Sequence, residues 1–412
     1  MATKIIENIA KLVQVEETPR RWVAGKDMAK MECVDNAYVL IEDGLIKDFG
    51  PAAEAPQAGV EERIDAKGGM VFPSFCDSHT HLVYAGSREI EYTDKIRGLS
   101  YEEIAKRGGG ILNSSKRLHE ASEDELYESA MGRIAEIISL GTGAVEIKSG
   151  YGLNTEDELK MLRVIRRIKE TSPIEVRANF LGAHAVPLEY KGRQTEYVDL
   201  IINEMIPQVA GEGLADFVDV FCDQGFFTVE DTERILMQGV KYGLRPKIHA
   251  NELAASGGIQ VGVKYNALSV DHLEFTGEAE MECLLGSETM PTILPGAAFF
   301  LEMRLSPARQ MMEYGLPVAM ASDYNPGSSP SGDMKFITSL ACIKFRMLPE
   351  EAFNATTINT AYAMGVSETH GSIARGKVAN LYITKPIPSY EFMPYAYTSK
   401  LVERVMLRGQ MQ

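Results

Sequence analysis

The segment Asp77-Ser-His-Thr-His81 carries two imidazoles two positions apart. On an extended chain this spacing turns both rings to one face, where they can reach a single ion. Three more polar residues close apolar runs far along the chain. His249 ends Leu244-Arg-Pro-Lys-Ile-His, His272 ends Ala267-Leu-Ser-Val-Asp-His, and Asp323 ends Pro317-Val-Ala-Met-Ala-Ser-Asp. One histidine at a strand end is an ordinary structural residue. Several such residues at matching strand ends form a set, and His79, His81, His249 and Asp323 read as ligands of one metal ion. Imidazole and carboxylate donors suit Zn2+ or Fe2+/Fe3+ rather than Ca2+ or Mg2+. Such an ion acidifies water from a pKa of about 15.7 to about 7, which suits hydrolysis. Glu252 lies three residues past His249 and is a candidate base, a role Asp323 could share. His272 is a candidate donor to an oxyanion, or a further ligand. Of the seven histidines, His119 and His370 fall outside this set and read as surface residues.

Residues so far apart in sequence need a scaffold that gathers strand ends. Short apolar runs end near Cys76, Ile147, Leu181, Phe221, Ile248, Val270, Leu294 and Ala321, with helical stretches between several of them. Ser122-Glu-Asp-Glu125 and Thr155-Glu-Asp-Glu158 both fit a capping box, and Ser306-Pro307 opens a short helix that Gly315 closes. This alternation predicts an α/β fold, a (β/α)8 TIM barrel over residues 71–365 with its chemistry at the C-terminal strand ends. The chain ends read differently. Ala37 to Gly50 is strand, Glu-Asp-Gly turn and strand, and Gly371 to Thr384 is again turn then strand. Residues 1–70 and 366–412 are therefore expected to build one small composite β-sandwich domain. The excursion from Val83 to Ala121, with Gly108-Gly-Gly110 inside it, reads as an elaborated first loop that could close over the barrel mouth.

Bulk properties narrow the function. Lys and Arg number 42 against 58 Asp and Glu, a net charge of −16. Nucleic acid and anionic membranes need a basic footprint, so neither is an expected partner. A small anionic substrate needs only one local arginine. The five cysteines are scattered and form no CxxC, which argues against a disulfide framework or a thiolate zinc site. No apolar run approaches the roughly 18 residues of a membrane span, and the N-terminus lacks a signal-peptide core. A cytoplasmic protein is expected, and a homodimer, since large barrels with a side sheet often pair.

The strand-end set resembles the amidohydrolase superfamily. Phe72-Pro-Ser-Phe-Cys-Asp-Ser-His-Thr-His81 is similar to its entry motif, and Gly371-Ser-Ile-Ala-Arg-Gly-Lys-Val-Ala-Asn to its return to the sheet domain. Four further stretches resemble the imidazolonepropionase family more narrowly. They are His79 to Glu91, Glu146-Ile-Lys-Ser-Gly-Tyr-Gly-Leu153, Phe180-Leu-Gly-Ala-His184 and Ser322-Asp-Tyr-Asn-Pro-Gly-Ser328. That resemblance implies hydrolysis of the cyclic amide of 4-imidazolone-5-propanoate to N-formimidoyl-L-glutamate, a step of histidine degradation. It implies substrate contacts from Arg88, Tyr151, His184 and Glu252, with Asn325, Gly327 and Ser328 around the glutamate end. Tyr101 is a further candidate hydroxyl. Arg88 can take the propionate through two parallel hydrogen bonds, and His184 is expected to bond the ring carbonyl or orient the ring. Superfamily members with two metals bridge them through a carboxylated lysine after strand 4. The fourth run here offers none, which implies a single ion. Two rival readings share the motif: a deaminase of a cyclic amidine such as a purine or pyrimidine, and a non-catalytic scaffold.

Overall fold

The computed structural model describes residues 3–99 and 109–412. Eight strands form a parallel sheet in strict chain order: β6 (Phe75–Thr80), β7 (Thr142–Lys148), β8 (Glu175–Ala183), β9 (Phe217–Cys222), β10 (Arg245–Ala250), β11 (Ser269–His272), β12 (Met290–Ile293) and β13 (Ala319–Met320). Helices cover the outside, and every residue of β6, β7 and β9 is buried. A parallel sheet with both faces covered has no use for alternating polarity, which is why these strands read as continuous apolar runs. The barrel closes between its first and last strands. Thr80 bridges Tyr324, Asp323 N donates to His79 O at 3.0 Å, and His81 N donates to Tyr324 O at 2.9 Å. Below this, the Asp77 carboxylate accepts from Ser322 N at 3.0 Å and Ser322 Oγ at 2.5 Å.

The chain ends form a second sheet, in order β16 (Gln410–Met411), β15 (Val402–Leu407), β14 (Leu381–Thr384), β5 (Met70–Pro73), β1 (Thr3–Val13), β2 (Cys33–Glu42) and β3 (Leu45–Pro51), with β4 (Glu62–Asp65) also on β1. β14 pairs antiparallel with β5, so the two termini meet in one hydrogen-bonded ladder. Ile6, Ile9, Leu12, Val39, Ile41 and Leu381, among others, form its apolar core. Phe72, Phe75 and Tyr382 stack at 5.0 and 5.2 Å where β5 runs into β6, tying sheet to barrel. Among the described residues no helix is long and apolar enough to cross a membrane.

Three local expectations need correction. Ser122 does cap the helix Glu123–Ser139 with a full capping box. The helix Thr155–Thr171 is instead capped by Asn154, whose side chain accepts from Asp157 N at 2.9 Å. Glu158 turns inward, because three backbone N–H groups of the preceding loop offer it better partners than the cap position. The helix expected from Ser306-Pro307 begins at Ala308, since Pro307 is held at ψ 55, outside the helical range. His370 is not a surface residue: it is 6 % exposed, and burial lowers its pKa to about 4. His119 lies on the surface as expected.

Candidate metal centre and active-site cavity

His79 lies in β6, His81 one residue past its end, His249 near the end of β10, and Asp323 three residues past β13. The strand register brings them together. Candidate ligand atoms of His79, His81 and His249 lie within 4.8 Å of one another, all three residues buried. Asp323 Oδ1 is 3.5 Å from His79 Nε2 and 3.6 Å from His81 Nε2. Carboxylates behind the rings fix which nitrogen faces forward. His79 Nδ1 hydrogen-bonds Asp271 Oδ2 at 2.6 Å, and His249 Nδ1 hydrogen-bonds Asp219 Oδ1 at 3.0 Å. With Nδ1 occupied, the Nε2 lone pairs of both rings point at the shared space, and both are buried with no protein partner. Burial, and then neighbouring positive groups, holds His79 and His81 far below the ordinary histidine pKa, so the rings are neutral as ligation requires. Orphaned imidazole nitrogens converging beside a carboxylate fit a metal ion.

Beneath this centre is a buried ionic network that motif reasoning did not single out. Lys148 Nζ donates to Glu146 at 2.7 Å and Asp219 at 2.8 Å. Asn179 Nδ2 bridges the same two carboxylates at 2.8 and 2.9 Å. Lys247 pairs with Glu146 and donates to Ser78 O at 3.0 Å. Burial opposes the charge on Lys148, but Asp219, Glu146 and Asp271 outweigh it and its pKa is raised. Lys148 and His249 in turn overcome burial to hold Asp219 well below the usual carboxylate range. Asp219 is thus a charged acceptor that keeps His249 in one tautomer. The sequence did carry a signal: Glu146 and Lys148, and Lys247 and His249, are polar pairs two apart inside apolar strands.

Above the histidines opens a cavity of about 380 Å³, lined by His81, His249, His272 and Asp323 on the metal side. The same cavity receives Arg88, Tyr151, His184, Glu252, Asn325, Gly327 and Ser328. Tyr101 lies outside the described residues. Arg88 is held by Glu91, which accepts from Nε at 2.8 Å and lies 2.7 Å from Nη2. Its Nη1 packs on Gly327, where any side chain would collide: a Cβ there would sit 2.1 Å away. Asn325 and Ser328 work within their own loop. Asn325 Oδ1 accepts from Gly327 N and Ser328 N, both at 2.8 Å, and Ser328 Oγ donates to Asp323 Oδ2 at 3.1 Å.

Glu252 Oε2 lies 3.7 Å from His272 Nδ1. Burial, then the charges of Asp323 and Asp223, lift the Glu252 pKa to about 8. Asp223 also builds this loop, accepting from the backbone N–H of Glu252 at 2.7 Å, Leu253 at 2.9 Å and Ala254 at 3.2 Å. Burial raises Asp323 to about 6 and drives His184 down to about 3, so His184 is neutral. The backbone is strained around the centre: His272, Leu273 and Asp323 have φ of 85°, 70° and 54°. Left-handed conformations in such residues persist only where the surroundings hold them, and they concentrate at working sites.

A model of the amidohydrolase family matches residues 167–411. The imidazolonepropionase of Flavobacterium johnsoniae is 55% identical over 406 residues, covering 98% of this chain and 99% of the relative. That of Shouchella clausii is 40% identical over 412 residues, covering 99% and 91%. Among solved structures, a zinc-bound adenosine deaminase from Xanthomonas campestris superposes with a TM-score of 0.74 at 16% identity, covering 100% of this chain and 92% of the other. A guanine deaminase from C. acetobutylicum gives 0.72 at 15%, covering 99% of each. At such identities the likeness establishes the barrel and its companion sheet, while the curated relatives carry the narrower assignment. By identity spread over almost its whole length, the chain belongs to the imidazolonepropionase family of amidohydrolases.

Proposed function

We propose that the protein hydrolyses the cyclic amide of 4-imidazolone-5-propanoate to N-formimidoyl-L-glutamate, a step of histidine degradation. One observation carries this reading: the Arg88 guanidinium lines the same cavity as His81, His249 and Asp323. The cavity thus offers a place for an anionic tail and a place for amide chemistry.

In this reading His79, His81, His249 and Asp323 hold one ion, zinc or iron. When bound, the ion supplies an acidified water and polarises the carbonyl. Every other task falls to side chains. Arg88, its Nε edge engaged by Glu91, offers its remaining Nη hydrogens to the propionate, and Tyr151 closes that side of the cavity. Glu252, on the loop beside the centre, accepts the proton of the attacking water and delivers it to the ring nitrogen as the carbon–nitrogen bond breaks. His272 donates to the carbonyl oxygen as it gains charge. Water adds to carbon, the ring opens, one of its protons ends on the departing nitrogen, and the other is lost as the new carboxyl group ionises.

The direct test is incubation with freshly made imidazolone propionate, following loss of its ultraviolet absorbance and appearance of N-formimidoyl-L-glutamate. Turnover of a purine or pyrimidine with no turnover of the imidazolone would overturn the assignment. Metal analysis should return one equivalent per chain. We further propose a cytoplasmic homodimer, checked by light scattering of the purified protein. We propose a division into a sheet domain of residues 1–70 plus 366–412 and a barrel of 71–365, checked by limited proteolysis.

A further inference from the structure

The loop between β7 and the helix Thr155–Thr171 carries Tyr151 into the cavity, yet little of its own side-chain chemistry holds it. One buried carboxylate gathers its backbone N–H groups, while His119 Nε2 hydrogen-bonds Gly152 O at 2.8 Å. Glu158 Oε2 accepts from Gly150 N at 3.0 Å, and Oε1 accepts from Gly152 N at 2.7 Å and Leu153 N at 2.9 Å. The Ser149 hydroxyl bonds the same carboxylate and itself accepts from Leu181 N at 3.0 Å on β8. A carboxylate has about four lone-pair sites, and four donors meet this one. Glu158 is 0 % exposed, and it does not cap its helix, a role taken by Asn154. Burial raises the Glu158 pKa, and these four donors work against that rise in favour of the carboxylate.

The loop so fixed has one consequence inside the cavity. His184 Nδ1 lies 2.9 Å from Gly150 O. A carbonyl oxygen can only accept, so Nδ1 carries the hydrogen and Nε2 carries the lone pair. Gly150 sits at φ +109°, and a Cβ there would meet His184 Nδ1 at 3.0 Å, so carbonyl and ring are fitted closely. His184 cannot then donate to a substrate carbonyl, contrary to one of the roles expected from the sequence.

We propose that Glu158 is a positioning residue that, through residues 149–153, locks His184 as a hydrogen-bond acceptor, so that the cavity selects a ring presenting an N–H to it. This rests on the reading of the cavity as the imidazolone pocket. An imidazolone bears such an N–H beside its carbonyl. A ring methylated at that nitrogen does not, and it would leave the acceptor unpaired.

The test uses the full-length, zinc-loaded enzyme labelled with ring-15N histidine, His184 being assigned by comparison with His184→Gln. Long-range proton–nitrogen correlation should show His184 in the Nδ1–H tautomer. The N-methylated imidazolone propionate should bind about 10-fold or more weakly than the parent. In Glu158→Gln, which can satisfy only one side of the loop, His184 should populate both tautomers. KM should rise about 10-fold with a smaller change in kcat and with zinc content unchanged. A wild-type His184 in the Nε2–H tautomer overturns the proposal. So does a folded Glu158→Gln that keeps both tautomer and KM, or one that raises KM with the tautomer intact. Should Glu158→Gln fail to fold, the wild-type spectrum and the methylated analogue decide. Absence of imidazolone turnover in the wild type would defeat the proposed function, while the His184 spectrum would still judge the lock.

Discussion

The two sheets of this molecule solve opposite problems. The sheet built from the chain ends packs Ile6, Ile9, Leu12, Val39, Ile41 and Leu381 into one apolar cluster. The barrel, at the level just below its mouth, encloses Glu146, Lys148, Asp219, Lys247 and Asp271, each no more than 1 % exposed. Barrel interiors of this kind are ordinarily filled by branched apolar side chains. A buried ion pair stabilises less than well-packed hydrocarbon of similar volume, so the charged layer lowers the stability the barrel could reach. What it contributes is direction: Asp219 and Asp271 aim His249 and His79.

That contrast can be broken by mutation. Asp219→Ala should reduce metal affinity about 10- to 100-fold, read by metal analysis at limiting zinc. Ile9→Ala, in the end sheet, should cost about 2–5 kcal/mol of unfolding free energy yet leave metal content and kcat/KM unchanged. Equal metal retention by Asp219→Ala and wild type would sink the claim that the charged layer serves the centre. Arg88→Ala should lower kcat/KM for imidazolone propionate about 100-fold, mostly through KM, with one equivalent of metal retained. An unchanged KM would remove the anionic tail from the account.

Acid and base responses should separate the cavity from the rest with opposite signs. Glu252 has its folded pKa raised from 4.5 to about 8, so between these values the folded chain keeps a proton the unfolded chain has lost. The metal-free protein should therefore lose stability as pH rises through that window, and Glu252→Gln should flatten the loss. His370 has its folded pKa lowered from 6.5 to about 4, so the unfolded chain takes up the proton first. Its contribution is present above pH 6.5 and is lost as pH falls toward 4, and His370→Gln should flatten that side. Thermal unfolding across pH reads both slopes. The smallest effect should come from Ser122→Ala, which removes one helix cap for about 1 kcal/mol and leaves kcat unaltered.

The proposed metal residues stand out in the sequence because strand ends announce themselves locally: an apolar run stops at a histidine or aspartate, and parallel strands in chain order bring like ends together. The barrel was legible for the same reason. The partners of those residues were not. Lys148 meets Asp219 through the register of β7 and β8 against β9, and His79 meets Asp271 across the barrel interior. Nothing near either residue in sequence records such register. Thr155-Glu-Asp-Glu158 misled for a related reason: the pattern fits a local cap, while a long-range demand from the Gly150–Leu153 backbone claims the glutamate. His370 reads as polar loop, yet the Lys377 ammonium donates to its carbonyl at 2.8 Å in a buried turn.

The circle of strands is joined where His79 and His81, from the first stave, face Asp323, from the last. An ion at the proposed centre would act as a rivet through that joint. The joint cannot form without residue 323, which lies roughly four-fifths of the way along the chain. A chain truncated before β13 is thereby left with histidines that have no aspartate to close on.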